Sequence, residues 1–224
     1  MKTIKNLTLS LIVVLVTGFS LVNAQEKVTE KENPFSVGVD VVSSYVWRGT
    51  KFSGPAVQPY LEFGKGGFAI GSWGSFGFGD EVSEADLYVS YAFDFGLSLG
   101  VTDYYYQGTP YFRYSTDSAS HAFEVNAGYE LADFTISANY IVNDASQGGP
   151  ANAGSDLYFE LGYSFGDFDV FVGAGDGWHT SDGEFNVCNV GILVTKEIKS
   201  IPVFGSVILN PEKESFDIVV GFSL

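Results

Sequence analysis

Few residues in this sequence could do covalent or metal chemistry. There are two histidines, His121 and His179, and one cysteine, Cys188. His121 stands near Ser118 and Ser120, and a serine beside a histidine is the minimal arrangement for nucleophilic catalysis. No partner motif accompanies them, and the local alternation turns His121 outward at the top of a strand. His179 lies in "GDGWHTSDGE", where a solvated loop residue is a simpler expectation than a metal ligand. The run "GAGDG" at 173–177 has no helix after it, so it does not make a phosphate-binding loop. Cys188 falls in an outward apolar series and reads as a small hydrophobic residue. The expectation is a protein that is not an enzyme and carries no cofactor or metal.

Charged residues offer a different chemistry. In "SSYVWRGTKFSGPA" the lone Arg48 follows Trp47 directly. Arg48 shares its parity with Ser44 and Val46, the series that faces away from the apolar side. Asp86, Glu124 and Asp156 each begin a strand at a comparable height. Asp103 is close in height but has the opposite parity. An Arg set against acids across a narrow space makes a transverse field that orients and filters small solutes. The same pair could equally brace the wall, because a buried charge without a partner is costly. Glu62, Glu160 and Asp217 add negative charge to the same face, and Tyr88 and Tyr158 share it. Trp47, one residue before Arg48, points the other way. It is expected at a membrane–water interface, where an amphipathic ring is favoured.

These residues need strands to hold them. From Pro34 onward the dominant period is two. Phe35, Val37, Val39 and Val41 alternate with Ser36, Gly38, Asp40 and Val42. Phe123, Val125, Ala127 and Tyr129 alternate with Glu124, Asn126 and Gly128, and Phe216, Ile218, Val220 and Phe222 with Asp217, Val219 and Gly221. About twelve such segments run through 34–224, each near the 9 to 11 residues of a tilted membrane-spanning strand. Short links such as "GKGG", "DFG" and "ELAD" alternate with long ones such as "YYYQGTPYFRYSTDSASHA". Tight turns at one end and long loops at the other predict an all-β, antiparallel, up-and-down transmembrane barrel. The chain ends on an alternating strand, "FDIVVGFSL", in the manner of an outer-membrane insertion signal.

The first 24 residues have Lys2 and Lys5, an apolar run and a close in Val22-Asn23-Ala24. They read as a secretory signal peptide, followed by a charged, flexible segment at 25–33. The leader carries two of the eleven Lys and Arg and none of the 27 Asp and Glu, so the remainder has nine against 27, a formal charge of −18. That charge disfavours nucleic acid and anionic surfaces. One cysteine allows no internal disulfide.

Together, "SSYVWRGTKFSGPAVQPYLEFG", "GSWGS", "EADLYVSYAF", "HAFEVNAGY" and "IPVFGSVILNPEKESFDIVVGFSL" resemble the TorF-type porin family of bacterial outer-membrane proteins. The resemblance covers about residues 35 to 224. It implies an outer-membrane location and passive transport, with no established catalytic or binding residues. The expected function is a channel for small hydrophilic solutes, cationic or neutral, in contact with outer-membrane lipid and lipopolysaccharide. Two other readings stand beside it. One is a non-conducting structural or adhesion barrel using the tyrosine-rich loop 103–117. The other is a lipid-modifying enzyme built on His121.

Overall fold

The computed structural model describes residues 33–79, 83–114, 119–145 and 154–224. The expected leader and residues 25–32 lie outside them. Fourteen strands are present among the described residues. Twelve form one closed antiparallel barrel, and the other two, β2 (Tyr45–Trp47) and β3 (Thr50–Ser53), form a separate hairpin. The barrel begins with β1 (Phe35–Val42), β4 (Ala56–Lys65), β5 (Phe68–Gly77), β6 (Ser83–Ala92), β7 (Leu97–Tyr105) and β8 (His121–Leu131). It continues with β9 (Phe134–Ile141), β10 (Leu157–Ser164), β11 (Asp169–Gly175), β12 (Asn186–Ile198), β13 (Ile201–Asn210) and β14 (Ser215–Ser223). Each barrel strand pairs with its neighbours in the chain, and β1 closes the ring on β14 through Asp40↔Ser223 to Val42↔Gly221. Closure leaves no unpaired edge.

Links at one end are short: Gly66–Gly67 joins β4 to β5, and Lys199–Ser200 joins β12 to β13. The connections at the other end are longer, apart from the four residues 211–214. The up-and-down barrel expected from the alternation is therefore present, with the same asymmetry between its two ends.

The wall is apolar outside and polar inside. Phe35, Leu61, Ile70, Leu87, Ile136 and Ile218 are each half or more exposed. Asp40, Gln58, Glu84, Asp86, Glu124 and Glu160 are each buried. A water-soluble barrel packs its apolar series inward, so this one is inverted. Small residues inside make room for large ones. Tyr158 on β10 lies flat across Gly173 of β11, where a Cβ would come within 2.0 Å of its hydroxyl.

Two parts of the wall depart from simple alternation. Between β11 and β12 the register jumps from Gly173↔Asn189 to Ala174↔Val187, so Cys188 is an extra, bulged residue. The bulge reverses the parity beyond it. Cys188, expected on the outward apolar face, is fully buried instead.

The larger departure is the link from β1 to β4. The pattern suggests one strand running through Trp47 and then an external loop. The chain instead leaves the wall after Val42 and enters the lumen as the β2–β3 hairpin. Ser43 still bonds to Val220 of β14, but the β1–β4 seam needs none of the segment, because Val42 of β1 pairs directly with Ala56 of β4. Replacing residues 43–55 by a two-residue Asn-Gly turn, the preferred chemistry for so tight a hairpin, is expected to leave the barrel intact. Heat-modifiable migration on gels, unchanged from the wild type, is the check.

Candidate functional site

The hairpin turns through two residues, Arg48 and Gly49, between the paired Trp47 and Thr50. Both have positive φ, 49° and 79°, as a type I′ turn requires. Glycine takes that conformation freely, and at Gly49 a Cβ would also lie 1.9 Å from the Cys188 carbonyl oxygen. Arginine at positive φ costs roughly 1 to 2 kcal/mol. What Arg48 reaches from there offsets that cost.

The guanidinium forks onto one carboxylate. Nη1 donates to Glu124 Oε2 at 2.6 Å and Nη2 to Oε1 at 2.9 Å. Both side chains are 1% exposed. Glu124 Oε1 also accepts from the Tyr104 hydroxyl at 3.0 Å and from Asn126 Nδ2 at 2.6 Å. The flat cation lies between two rings, with Cζ 4.3 Å from the Trp47 centroid and 4.4 Å from that of Tyr158. Charge-assisted forks and desolvated cation–π contacts are among the stronger interactions that a protein makes.

Other strands fix the rest of the hairpin. Asn210 Nδ2 of β13 donates to the Gly49 carbonyl at 3.1 Å, and Lys213 Nζ to Thr50 Oγ1 at 2.9 Å. Trp47 packs edge-on against Tyr104 of β7 and against Trp178 in the 176–185 connection. The hairpin thus touches several sectors of the ring and crosses the lumen.

The expected lumenal residues divide into groups. Arg48, Glu124 and Tyr158 meet at the tip. Glu160 stands beside them, accepting from the Tyr158 hydroxyl and from Asn189 Nδ2 at 2.9 Å. Asp86 is buried elsewhere, opposite Trp73, and makes no ion pair with Arg48. Glu62 and Tyr88 lie farther down the wall, bonded to each other at 2.8 Å and only half-buried. Asp156 sits at the head of β10, accepting from the Gly154 backbone at 3.0 Å. Burial pushes its carboxyl up to about 6.

Two expectations need correction. Trp47 is not on the outer face: it is buried in the lumen among aromatic rings, because the chain leaves the wall before it. His179 is not a solvated loop residue but is buried, its Nδ1 accepting from Trp178 Nε1 at 3.1 Å. Burial, and next the nearby Arg48, hold its imidazole well below the usual histidine range. Nothing in the spacing marked Trp178 or Asn210 as partners of the hairpin. Tyr104 was legible from parity, being next to the outward Asp103.

His121 is on the outer side but fully covered. Its Nδ1 faces Asp103 at 2.8 Å and its Nε2 faces the Tyr111 carbonyl at 2.5 Å. The rings of Tyr105 and Tyr114 stack on it. Both ring nitrogens are thus already engaged within the wall and its covering loop. Ser118 lies outside the described residues. The Ser120 hydroxyl is buried with no hydrogen-bond partner.

Removing Glu124 by Glu124→Ala strands a buried guanidinium, and breaking such a pair costs about 3–5 kcal/mol. A fall in the thermal midpoint of the detergent-solubilised barrel, larger than for Glu62→Ala, is the expected readout. Gly49→Ala, which meets the Cys188 carbonyl, is expected to loosen the hairpin as well. This should show as increased proteolysis within 43–55.

Asp156 gives a pH prediction. A carboxyl raised on folding adds stability that is complete below its unfolded value, near 4, and is lost as pH rises through about 6. Asp156→Asn is therefore expected to gain in midpoint over the wild type between pH 5 and pH 7. The comparison cancels the opposite demand of His179, which must stay neutral in both proteins.

No curated protein matches the chain in sequence. Among solved structures, a mutant porin of Rh. blastica is similar at 15% identity, over 86% of this chain and 73% of that one, with a TM-score of 0.45. Outer membrane phospholipase A from Escherichia coli is similar at 11% identity, over 87% and 93%, with a TM-score of 0.44. At these scores neither likeness bears on what this chain does. The model of a bacterial protein family of unknown function, Gcw_chp, matches residues 27–191, well over half of the 224 residues, and the chain belongs to that family.

Proposed function

We propose that this protein is a porin-like barrel of the bacterial outer membrane, of the TorF type that its sequence resembles. In this reading it is exported by its leader and passes small cationic or neutral solutes without catalysis. The observation that carries this reading is the charge of the lumen. Asp40, Glu62, Glu84, Asp86, Glu124 and Glu160 face inward from barrel strands. The barrel strands contain two lysines, Lys65 and Lys196, and both are exposed. Cations reach this space from connections instead: Arg48 at the hairpin tip, half-exposed Lys51, which lies 3.8 Å from Asp217, and Lys213, bonded to Thr50. An acidic pore admits cations and turns anions away.

The outer face supports the membrane part. An apolar belt around a closed barrel is stable in hydrocarbon, where strand backbones are all paired. Water would leave the same belt exposed at a cost of about 25 cal/mol per Å². Lipid covers it, and acids on the long connections suit the divalent ions that bridge lipopolysaccharide.

The hairpin favours a second reading, a barrel that conducts nothing at rest. Planar bilayers separate the two. The wild type is expected to give small, discrete, cation-preferring steps. The variant with residues 43–55 replaced by Asn-Gly should give larger steps of the same sign preference. A wild type that is silent while the variant conducts would make the hairpin a plug. Silence in both would overturn the channel.

A further inference from the structure

The wall around Arg48 has the make-up of a binding site, and the chain shows its occupant. Glu124 presents both carboxylate oxygens in one plane, held there by Tyr104 and Asn126. Tyr158 covers one face of the cation. All four residues belong to the barrel wall, on β7, β8 and β10. The group they hold enters on a segment that the β1–β4 seam does not need, since those strands pair directly. A structural brace could have come from a wall residue, as Asn189 does for Glu160.

The geometry selects among cations. Both terminal nitrogens of Arg48 are bonded to Glu124, whereas Nε is buried with no partner. The site therefore reads the two terminal nitrogens and leaves the substituted one alone. An alkylguanidinium fits this pattern. An ammonium, which has no planar fork, can meet only one oxygen well. The ring of Tyr158 favours a flat, weakly hydrated cation.

We propose that this wall site binds small solutes bearing an alkylguanidinium group, and that the hairpin, through Arg48, is a tethered stand-in for them that narrows the lumen. A free guanidinium that displaces Arg48 takes over the fork and releases the hairpin from its tightest anchor. The proposal rests on the channel reading for its role in transport, but the binding itself does not depend on conduction.

Methylguanidinium and methylammonium are the probes. The proteins are Arg48→Ala and the variant with 43–55 replaced by Asn-Gly, each confirmed as a barrel by heat-modifiable migration. Thermal unfolding in detergent reads binding, and planar bilayers read block. Methylguanidinium is expected to raise the midpoint of both variants. It should also act at roughly tenfold lower concentration than methylammonium, the worth of one charge-assisted hydrogen bond. Adding Glu124→Gln should abolish the difference. If the two probes act alike, or if Glu124→Gln leaves the preference intact, the site is overturned. If Arg48→Ala does not form a barrel, the Asn-Gly variant decides. Absence of conductance with a retained thermal preference sinks the channel and keeps the site, whereas conductance without the preference does the reverse.

Discussion

The ion pair between Arg48 and Glu124 organises the half of this molecule that carries the long connections. It joins the tip of an inserted hairpin to the opposite part of the wall, and both charges are buried. Two charges out of water are tolerable only with near-ideal geometry and further hydrogen bonds. Glu124 therefore carries Tyr104 and Asn126, and Arg48 carries two rings. Tyr158, one of those rings, is held by Asn189 and needs Gly173 beneath it. The bulge at Cys188 places a backbone carbonyl where only glycine at position 49 can approach. Each feature is small by itself, and together they fix where one guanidinium sits.

That pair also explains the charge distribution. A closed barrel with an apolar outside must put its polar residues inside. The charged residues that barrel strands bury there are acids, beside neutral ones such as Gln58, Asn139 and Asn189, and Glu84 and Asp86 are buried with an oxygen each that has no partner. The hairpin brings in the buried compensating cation, Arg48, from a connection. A barrel built this way has its electrostatics set by a segment that lies outside the β1–β4 seam. This differs from a pore whose constriction is part of the strands.

The outer rim shows the opposite behaviour in another connection. Tyr106 points inward onto Phe52, but Tyr111 and Tyr114, later in the same connection, lie against the outside of the wall and cover His121. Aromatic residues of connections thus end inside the lumen in one place, as Trp47 does, and outside in another, as Tyr111 does. Local composition does not distinguish them, because both destinations offer aromatic partners and a charged group to satisfy.

The sequence by itself determined the barrel. Period-two alternation, long links against short ones and the inward parity of Asp86, Glu124, Glu160, Tyr88 and Tyr158 all follow from backbone geometry that each strand obeys alone. Only the tertiary structure decided the fate of "YVWRG". Read as a continuation of β1, it puts Trp47 outside and Arg48 on the wall. Parity is a property of a continuous ladder, and it ends where the chain leaves the ladder at Val42, as it slips by one where Cys188 bulges. Whether a segment stays in the wall or enters the lumen depends on what waits across it. For Arg48 that is Glu124, 76 residues away in the chain and adjacent only once the ring has closed.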